Sequence, residues 1–346
     1  MNDYKERTYL SAIEVAKYLG VNVKQIHQFL KSGKLKGFRS TSGQYRFNLR
    51  DVKKIEDYVS SSNNVEISIN KKNIIQVNGT TQTIYIQDAR NMREIKDNSV
   101  NLIITSPPYF NAKLYSKRPT NEDLGNIHKL DEWFNEIEKV WKEVFRVLQP
   151  GRKAFINIMN LPIRTKYGFK SLNIVGKTID IFEDIGFLFK REIIWHKTNS
   201  VRAHFGTFPY PGSILINYTH EFILEFEKPA PNNYKKYGHL TKEQKEASKL
   251  EKDFWIEVKK SDVWVMKPEK SGNNRNHPAP FPYELPYKLI KAYSFVGETI
   301  LDPFLGSATT LATARDLKRN GIGYEINPEF VKESIQKIKK FQQKLL

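Results

Sequence analysis

The chain has 346 residues, no cysteine and a formal net charge of +18, from 56 basic and 38 acidic residues. This length can bury a substantial core and predicts one large domain with a small one beside it. A positive field of this size favours a polyanionic partner, most simply nucleic acid, with an anionic membrane surface as the alternative. Because no apolar run of about eighteen residues and no signal peptide is found, we expect a soluble, cytoplasmic protein.

The absence of cysteine excludes several kinds of chemistry. Disulfides and thiolate metal sites are ruled out, as are zinc-dependent base deaminases, which need cysteine ligands. Methylation of C5 of cytosine is also ruled out, because it requires a cysteine nucleophile. If the chain modifies a base by methylation, it must therefore act directly on a nitrogen, and no metal is expected.

Residues 1–60 are predicted to form a separate small domain. Ser11 can cap a first helix and Gly20 can end it. A second helix, two short strands around a polar loop, and a third helix are expected to follow. The predicted helices are 11–19, 23–30 and 49–59, and the predicted strands are 35–38 and 44–47.

This order of elements resembles the winged helix-turn-helix of excisionases and of mercury-resistance-type regulators. The resemblance implies that the second helix faces the major groove of DNA and that the wing meets phosphates. The alternative is a small helical packing module with a charged surface, but the basic polar faces favour DNA. The residues implied in DNA contact are Gln25, His27, Gln28 and Lys31 on the helix, and Arg39 and Arg46 on the wing.

Residues 60–64 form the predicted linker, beyond which strands and helices alternate as in an α/β fold. Asn78-Gly79 predicts a hairpin turn. Pro150-Gly151 is expected to stop a long helix before the next strand begins. The predicted strands are 74–77, 82–86, 100–104, 154–159, 190–195, 218–226 and 298–301, and the predicted helices are 131–148 and 174–185, with helix also expected in the charged stretch 235–260.

The five residues Thr105-Ser106-Pro107-Pro108-Tyr109 follow an apolar run that predicts a buried strand. Two consecutive prolines lack the N–H groups that would continue the hydrogen-bond ladder between strands, so the backbone must leave the sheet there. The segment then presents a hydroxyl, a carbonyl and an aromatic ring. Such a set can hold a flat heterocycle with an exocyclic amine, because the oxygens accept its hydrogens and the ring stacks on its face. The alternative is a strand-ending turn with a packed tyrosine.

A second group of residues lies near the C-terminus, where a predicted strand ends in Asp302-Pro303-Phe304-Leu305-Gly306-Ser307. An acidic residue at a strand's carboxyl end, a close-approach glycine and a helix start make a ligand site at the edge of a parallel sheet. The spacing is that of neither a dinucleotide-binding loop nor a P-loop. The acidic residue suits a positively charged amine, such as the methionine end of S-adenosylmethionine. Glu325 ends the next predicted strand, where a carboxylate typically holds ribose hydroxyls. In isolation, Asp302 has the alternative role of a helix cap, and Glu325 that of a surface carboxylate.

From about Ile84 to its end, the chain resembles the β group of amino DNA methyltransferases, in which the catalytic Ser-Pro-Pro-Tyr precedes the cofactor motif. The resemblance implies an α/β fold, with a Rossmann-like S-adenosylmethionine-dependent methyltransferase sheet in circularly permuted motif order over residues 65–346. Ala308 stands where the family often has glycine, and we expect its methyl group to be tolerated on the first turn of a helix. Lesser motifs that also match are Asp88, Leu148-Gln149-Pro150-Gly151, Ile194-Trp195-His196-Lys197 and the His-Pro-Ala-Pro-Phe-Pro run at 277–282.

The resemblance also implies roles for individual residues. In the catalytic set, Ser106 and the carbonyl of Pro107 accept hydrogens from the target amine, while Tyr109 stacks on the flipped base. Asp88 is expected to accept a hydrogen bond from the cofactor's adenine amine, and Lys197 and Arg202 to contact DNA. The complete catalytic set is Ser106, Pro107, Pro108 and Tyr109, and the cofactor set is Asp88, Thr105, His277, Pro278, Asp302, Pro303, Phe304, Gly306, Ser307 and Glu325.

The residue at position 106 bears on which base is methylated. A carboxylate in place of Ser106 would be the usual adenine-type residue, so serine favours N4 of cytosine, with N6 of adenine as the alternative. The irregular, aromatic and basic segment 198–276 is expected to recognise the target sequence. Two other classes compete: a ligand-binding transcriptional regulator without catalysis, and a methyltransferase acting on RNA or on protein amines.

The expected partners are double-stranded DNA and a cognate restriction endonuclease acting on the same site. The enzyme is expected to be a monomer or homodimer, cytoplasmic and associated with the nucleoid, with no membrane partner.

Overall fold

The computed structural model describes residues 9–19, 23–40, 43–55, 71–110, 123–198, 212, 216–269 and 281–340. The chain divides into two compact units, residues 1–68 and residues 69–346. In the described parts of both, every helix is too short or too polar to span a lipid bilayer.

The smaller unit combines short helices with an antiparallel sheet of order β1-β3-β2. A capping box starts the first helix: the Glu14 amide donates to Ser11 Oγ at 3.3 Å, and the Ser11 amide donates to the Glu14 carboxylate at 2.8 Å. Leu10, Val15 and Phe47 are fully buried in the core. The elements are β1 (Tyr9–Ser11), α1 (Ala12–Leu19), α2 (Val23–Lys31), β2 (Phe38–Arg39), β3 (Tyr45–Asn48) and α3 (Leu49–Lys54).

The structure confirms the predicted order of helices and hairpin in this unit, with three differences. Strand β1 was not predicted, because three residues are too few to show a period. Leu35 is buried in the core without pairing in the sheet, so its apolar character reflects packing rather than a strand. The third helix ends at Lys54 rather than at residue 59. The predicted linker at 60–64 lies outside the described residues.

The larger unit contains a nine-stranded sheet of order β12-β10-β11-β7-β6-β13-β14-β5-β4 and a separate two-stranded hairpin, β8-β9. Its strands are β4 (Lys72–Val77), β5 (Thr80–Tyr85), β6 (Val100–Thr105), β7 (Leu148–Ile158), β8 (Leu161–Thr165), β9 (Gly168–Leu172), β10 (Leu188–Lys197), β11 (His220–Glu227), β12 (Val263–Met266), β13 (Thr299–Asp302) and β14 (Asn320–Tyr324). Its helices are α4 (Leu130–Val147), α5 (Ile174–Ile185), α6 (Lys242–Glu246), α7 (Lys252–Lys260), α8 (Glu284–Tyr293), α9 (Thr309–Asp316) and α10 (Pro328–Lys339).

The centre of the sheet is buried on both faces, so the residues of β6 are buried along its whole length. Ile103 packs on one face into a core with residues of α4 and α5. Its neighbours Leu102 and Ile104 point to the other face, into a core with residues of α8 and α9. The predicted α/β fold is thereby confirmed as a three-layer arrangement around a central sheet.

Pro150-Gly151 does not separate a helix from a strand as predicted. Helix α4 ends at Val147 and β7 begins at Leu148, so the pair lies inside the strand. The pairing of β6 with β7 shifts there, from Val100 opposite Leu148 to Leu102 opposite Lys153, and Gly151 has a φ of +70°. The two residues therefore form a bulge, which glycine and proline accommodate in a strand.

The charged stretch 235–260 is also less regular than predicted. It holds two short helices, α6 and α7, and the first begins with a capping box at Thr241. Segment 198–276 further contains β11 and the edge strand β12, of which only β11 was predicted. The Asn78-Gly79 turn, strand β6 and helix α5 agree with prediction, and both turn residues have positive φ.

Candidate active site

The predicted site residues converge on one edge of the larger sheet. Strands β5, β14, β13, β6 and β7 are adjacent and parallel, so their carboxyl ends meet there. The chain leaves β6 towards β7 and leaves β13 towards β14, in opposite directions, which opens a crevice between β6 and β13. Ser106 follows β6, Asp302 ends β13, Glu325 follows β14, and Asp88 lies just beyond β5.

Asp302 is buried in this crevice with its carboxylate held by three donors. Thr105 Oγ1 donates to Oδ1 at 2.6 Å, the Phe304 amide donates to Oδ1 at 3.1 Å, and Thr310 Oγ1 donates to Oδ2 at 2.7 Å. The carboxylate therefore joins the catalytic strand β6 to the cofactor loop. Burial raises the pKa of Asp302 to about 6, although the three hydrogen bonds act in the opposite direction.

Glu325 is held by backbone donors from two loops. The Gly306 amide donates to Oε2 at 2.9 Å, and the Asn327 amide donates to Oε1 at 2.8 Å. Burial, together with the negative charges of Asp123 and Asp302, raises the pKa of Glu325 to about 7, although the two backbone hydrogen bonds act in the opposite direction. The crevice is thus an acidic site in which both carboxylates would be stabilised by a bound cation.

The loop after β13 is packed tightly against β14. The Leu305 amide donates to the carbonyl of Tyr324 at 2.9 Å, and Ser334 Oγ donates to the carbonyl of Gly306 at 2.8 Å. A Cβ on Gly323 would lie 2.7 Å from Leu305 Cδ1, so this strand position needs glycine.

Ala308 does not lie on the first helical turn as expected. It is the N-cap of α9, fully buried, with a left-handed φ of +56°. An L-residue is strained in this region by about 1–2 kcal/mol. The methyl group is therefore accommodated at a position that glycine would adopt more readily.

The residues present fit S-adenosylmethionine. Asp302 is a buried carboxylate that has no basic partner among its hydrogen bonds to the described residues, as the ammonium of a methionine moiety requires. Glu325 can accept hydrogen bonds from ribose hydroxyls while its backbone donors keep it oriented. Phe304 packs edge-on against Trp141, with ring centroids 5.9 Å apart, which supports an aromatic wall beside the loop.

The Ser-Pro-Pro-Tyr segment leaves β6 without secondary structure of its own. Ser106 and Pro108 are half-buried, Pro107 is buried, and Tyr109 is only 8% exposed. Tyr109 Oη donates to Glu221 Oε2 at 2.8 Å. The hydroxyl of the predicted stacking ring is therefore anchored to the sheet.

Two predicted residues have partners that bear on their assigned roles. Asp88 accepts hydrogen bonds from Arg90, at 2.9 Å from its amide and 2.7 Å from Nε, so part of its acceptor capacity is already used. Lys197 forms an ion pair with Glu221 instead of extending freely towards DNA. His277, Pro278 and Arg202 lie outside the described residues.

Sequence reasoning missed several residues of the site. Thr310 binds Asp302, Asp123 lies close enough to raise the pKa of Glu325, and Asn157 and Glu221 lie beside Tyr109. Buried polar residues within otherwise apolar strands were the available signal for Asn157 and Glu221. That they lie together beside Tyr109 follows only from the order of the strands in the sheet.

The predicted DNA-contacting residues of the smaller unit lie on α2 and the β2–β3 wing. His27 and Lys31 are exposed on α2, and the Arg39 guanidinium lies 5.2 Å from the centroid of the Tyr45 ring. Arg46 is on β3, opposite Phe38. Gln25 and Gln28 belong to α2, but their side chains lie outside the described set.

Known proteins match both units. The profile of the family described as DNA methylase matches residues 100–337, and that of a helix-turn-helix domain matches residues 9–55. The chain is 35% identical over 271 residues to the Type II methyltransferase M.MthZI of Methanothermobacter thermautotrophicus, covering 72% of this chain and 74% of that protein. It is 34% identical over 275 residues to the Type II methyltransferase M.MjaI of Methanocaldococcus jannaschii, covering 72% of this chain and 88% of that protein.

A solved structure agrees with these matches. A Thermus thermophilus protein described as a putative DNA modification methylase, complexed with S-adenosyl-L-methionine, superposes with a TM-score of 0.59 at 28% identity, covering 74% of this chain and 92% of that one. The matched region contains both the Ser-Pro-Pro-Tyr and the Asp302 loops. The chain therefore belongs to the DNA methylase family and is an S-adenosyl-L-methionine-dependent DNA methyltransferase of the N6/N4 type, with an N-terminal helix-turn-helix domain.

Proposed function

We propose that this enzyme methylates the exocyclic N4 amine of cytosine in double-stranded DNA, on a base flipped out of the helix. The observation that carries the proposal is the position of Ser106, directly beyond β6 and beside the Thr105–Asp302 hydrogen bond. This arrangement supports a target amine held next to the cofactor site. A serine hydroxyl in place of the adenine-type carboxylate favours cytosine.

The proposed chemistry uses groups of the chain to prepare the amine. The amine is a poor nucleophile because its lone pair is delocalised into the ring. The Ser106 hydroxyl and the Pro107 carbonyl accept its two hydrogens and thereby localise the pair on nitrogen. Tyr109 stacks on the extruded base and fixes its plane for in-line attack. When bound, the cofactor would supply an electrophilic methyl group on its sulfonium. The nitrogen–carbon bond forms as the sulfur–carbon bond breaks, a neutral thioether leaves, and the methylated amine releases one proton to water.

The cofactor-binding residues act by charge and orientation. Asp302 binds the ammonium of the methionine moiety, and Glu325 binds the ribose hydroxyls. Thr105 holds both sides of the crevice together, because it ends the catalytic strand and donates to Asp302. The remaining proposed cofactor residues are Asp88, His277, Pro278, Pro303, Phe304, Gly306 and Ser307.

Identification of the methylated nucleoside tests the choice of base. The purified chain is incubated with DNA and S-adenosylmethionine, and the DNA is digested to nucleosides for mass spectrometry. We expect N4-methylcytosine. N6-methyladenine as the product would refute the cytosine assignment while leaving the amino-methyltransferase family intact.

Replacing the proposed acceptor tests the catalytic role. Ser106→Ala is expected to abolish most turnover and to leave cofactor affinity unchanged, measured by labelled methyl transfer and by calorimetry. Ser99→Ala is the matched control, since Ser99 precedes the opposite end of β6 and its hydroxyl donates to the carbonyl of Lys96. Equal losses in the two variants would contradict the assignment.

We further propose that target recognition resides in the parts of 198–276 outside β11 and β12, and that the enzyme acts in a restriction–modification system with a cognate endonuclease. Both relatives named above are Type II methyltransferases. Exchanging this segment with that of a relative should change the methylated sequence, and unchanged specificity would contradict the first proposal. DNA modified by this enzyme should resist the cognate endonuclease, and cleavage of fully modified DNA would contradict the second.

The N-terminal domain is proposed to add DNA affinity or to repress the enzyme's own operon. Deleting residues 1–60 separates these roles. Lost promoter binding with retained methylation supports autoregulation, whereas weaker binding to the methylation substrate supports added affinity.

A further inference from the structure

Three neighbouring strands each direct one polar side chain to the same place beside Tyr109. Strand β11 supplies Glu221, β7 supplies Asn157 and β10 supplies Lys197. Asn157 Nδ2 donates to Glu221 Oε2 at 2.5 Å, Tyr109 Oη donates to the same oxygen at 2.8 Å, and Lys197 Nζ pairs with Oε1. We call Asn157, Lys197 and Glu221 the tyrosine anchor.

Two members of the tyrosine anchor are almost entirely withdrawn from water, and Lys197 is half-buried. Glu221 is 7% exposed and Asn157 is 2% exposed. A buried carboxylate is unfavourable unless it is paired and hydrogen-bonded, and here Lys197 supplies the charge while Asn157 and Tyr109 supply hydrogen bonds. An apolar residue could fill this part of the sheet without that requirement. What the charged group adds is a fixed acceptor for the tyrosine hydroxyl.

A fixed hydroxyl determines how the ring is oriented. Pro107 and Pro108 restrict the backbone before the tyrosine, and Glu221 holds its hydroxyl. The ring therefore cannot rotate about its Cα–Cβ bond without losing a charge-assisted hydrogen bond. A stacking platform gains from such preorganisation, because the base is then received in one plane.

We propose that Glu221 is a positioning residue for methyl transfer, acting through the hydroxyl of Tyr109, and that Asn157 and Lys197 hold Glu221 in place. This rests on the proposed role of Tyr109 as the platform for the flipped base. It assigns Lys197 to the support of the active site instead of to phosphate contact.

A double-mutant cycle tests the proposal. Tyr109→Phe, Glu221→Gln and the double variant are compared with the wild type in single-turnover methyl transfer to genomic DNA, with cofactor affinity from calorimetry. Each single variant is expected to slow methyl transfer about tenfold and to leave cofactor affinity unchanged. The double variant should be no slower than the slower single variant, because Tyr109→Phe removes the hydrogen bond and Glu221→Gln removes the negative charge that strengthens that same bond.

Glu225→Gln is the matched control. Glu225 lies on the same strand and face, is 1% exposed, and pairs with Lys153 and Arg191 instead of with the tyrosine. It should lower the melting temperature as Glu221→Gln does, but leave the transfer rate unchanged. Multiplicative effects in the cycle, wild-type rates in both single variants, or an equal rate loss in Glu225→Gln would overturn the proposal. If the wild type forms no N4-methylcytosine, that result would instead count against the proposed function.

A second, independent observation concerns the hairpin β8-β9. It begins three residues after β7 ends, so its base lies at the edge of the sheet that carries the site. Leu161 and Leu172 at its base are each 7% exposed, whereas Tyr167 at its tip is 88% exposed and Phe169 is 49% exposed. Its charged residues are Arg164, Lys166 and Lys170, all basic.

We infer that this hairpin contacts the DNA substrate outside the target base. The exposed side chains of Lys166 and Lys170 complement phosphates, and exposed aromatic rings can pack on sugars or bases. The nearest acidic residues in sequence are Glu143 and Asp180, which leaves the intervening 144–179 with basic charges only. This inference depends on the family's DNA substrate and not on which base is methylated.

Removing charge from the hairpin tests this contact. Lys166→Ala with Lys170→Ala is expected to raise the KM for DNA about tenfold at about 0.1 M salt, to leave kcat unchanged, and to reduce the salt dependence of binding. The matched control removes two exposed lysines of α4, Lys139 and Lys142, which pair with glutamates on the same helix. Tyr167→Ala should also raise KM without changing cofactor affinity. An equal effect of the two lysine pairs, or an unchanged KM in both hairpin variants, would overturn the inference.

Discussion

The raised pKa of Asp302 makes cofactor affinity depend on pH in a predictable direction. With a pKa of about 6, the carboxyl group is largely neutral at about pH 5 and about nine-tenths ionised at about pH 7. A cationic amine binds the ionised form, so the affinity for S-adenosylmethionine should rise about tenfold over this interval. Because the cofactor's own amine stays mostly protonated up to about pH 7, the rise reports carboxylates of the protein: Asp302 first, and then Glu325, whose pKa of about 7 lies at the upper end of the interval.

Thr310→Val should shift the pH dependence of cofactor affinity to higher pH. Thr310 Oγ1 is one of three donors to Asp302, at 2.7 Å, and a hydrogen bond to a charged group contributes about 1.5–3 kcal/mol. The lower end of this range, about 1.5 kcal/mol, corresponds to a rise of about one unit in the pKa of Asp302 when the hydrogen bond is lost. Affinity should then fall about fivefold at about pH 6, where ionisation drops from about half to about one-tenth, and by less than about twofold at about pH 7.5.

Calorimetric titration of S-adenosylmethionine from about pH 5 to 7.5 measures both effects. Thr310→Ser is the matched control, since it keeps the hydroxyl and should follow the wild type. A flat wild-type profile, or a Thr310→Val loss of equal size at every pH, would refute the assignment of Asp302 as the titrating group at the cofactor site.

The raised pKa of Asp302 also makes the free energy of unfolding depend on pH, but stability falls as the pH rises, whereas cofactor affinity increases. A folded-state pKa above the unfolded value of about 3.9 favours the neutral carboxyl in the folded protein. Its contribution to the free energy of unfolding is therefore fully present below about pH 3.9 and is lost as the pH rises through about 6. Cofactor binding should offset this loss, so the increase in melting temperature on adding cofactor should grow with pH.

Three further predictions concern packing and DNA binding. Gly323→Ala should destabilise the protein by about 1–3 kcal/mol in chemical denaturation and weaken cofactor binding, because its Cβ would lie 2.7 Å from Leu305 Cδ1; a neutral effect would contradict the close packing. Lys228→Met should lower the free energy of unfolding by about 3 kcal/mol, since Lys228 Nζ donates to the carbonyls of Phe145 and Leu148 at the end of α4. A loss below about 1 kcal/mol would contradict the importance of these hydrogen bonds. Arg39→Ala and Arg46→Ala should each reduce the slope of log affinity for DNA against log salt by about one, and unchanged slopes would remove the wing from the DNA interface.

Much of the fold could be predicted because its signals are local. The Asn78-Gly79 turn, the apolar run of β6 and the amphipathic α5 each lie within one element, where backbone preference and periodicity act directly. The errors occurred where context overrides local preference. Pro150-Gly151 would end a helix in isolation, but neighbouring strands hold it as a bulge. Ala308 was expected on the first turn of a helix, but it is the left-handed N-cap of α9, where the loop after β13 enters the helix.

The sequence by itself determined the kind of chemistry, because that depends on which groups are present. No cysteine means no covalent route to C5 of cytosine, while Ser-Pro-Pro-Tyr and the Asp302 loop indicate methyl transfer to an amine. Only the tertiary structure decided which groups act together. Thr105 meets Asp302 across 197 positions of the chain, and Tyr109 meets Glu221 across 112. Such contacts depend on the order of strands in the sheet, and no local property of either segment specifies that order.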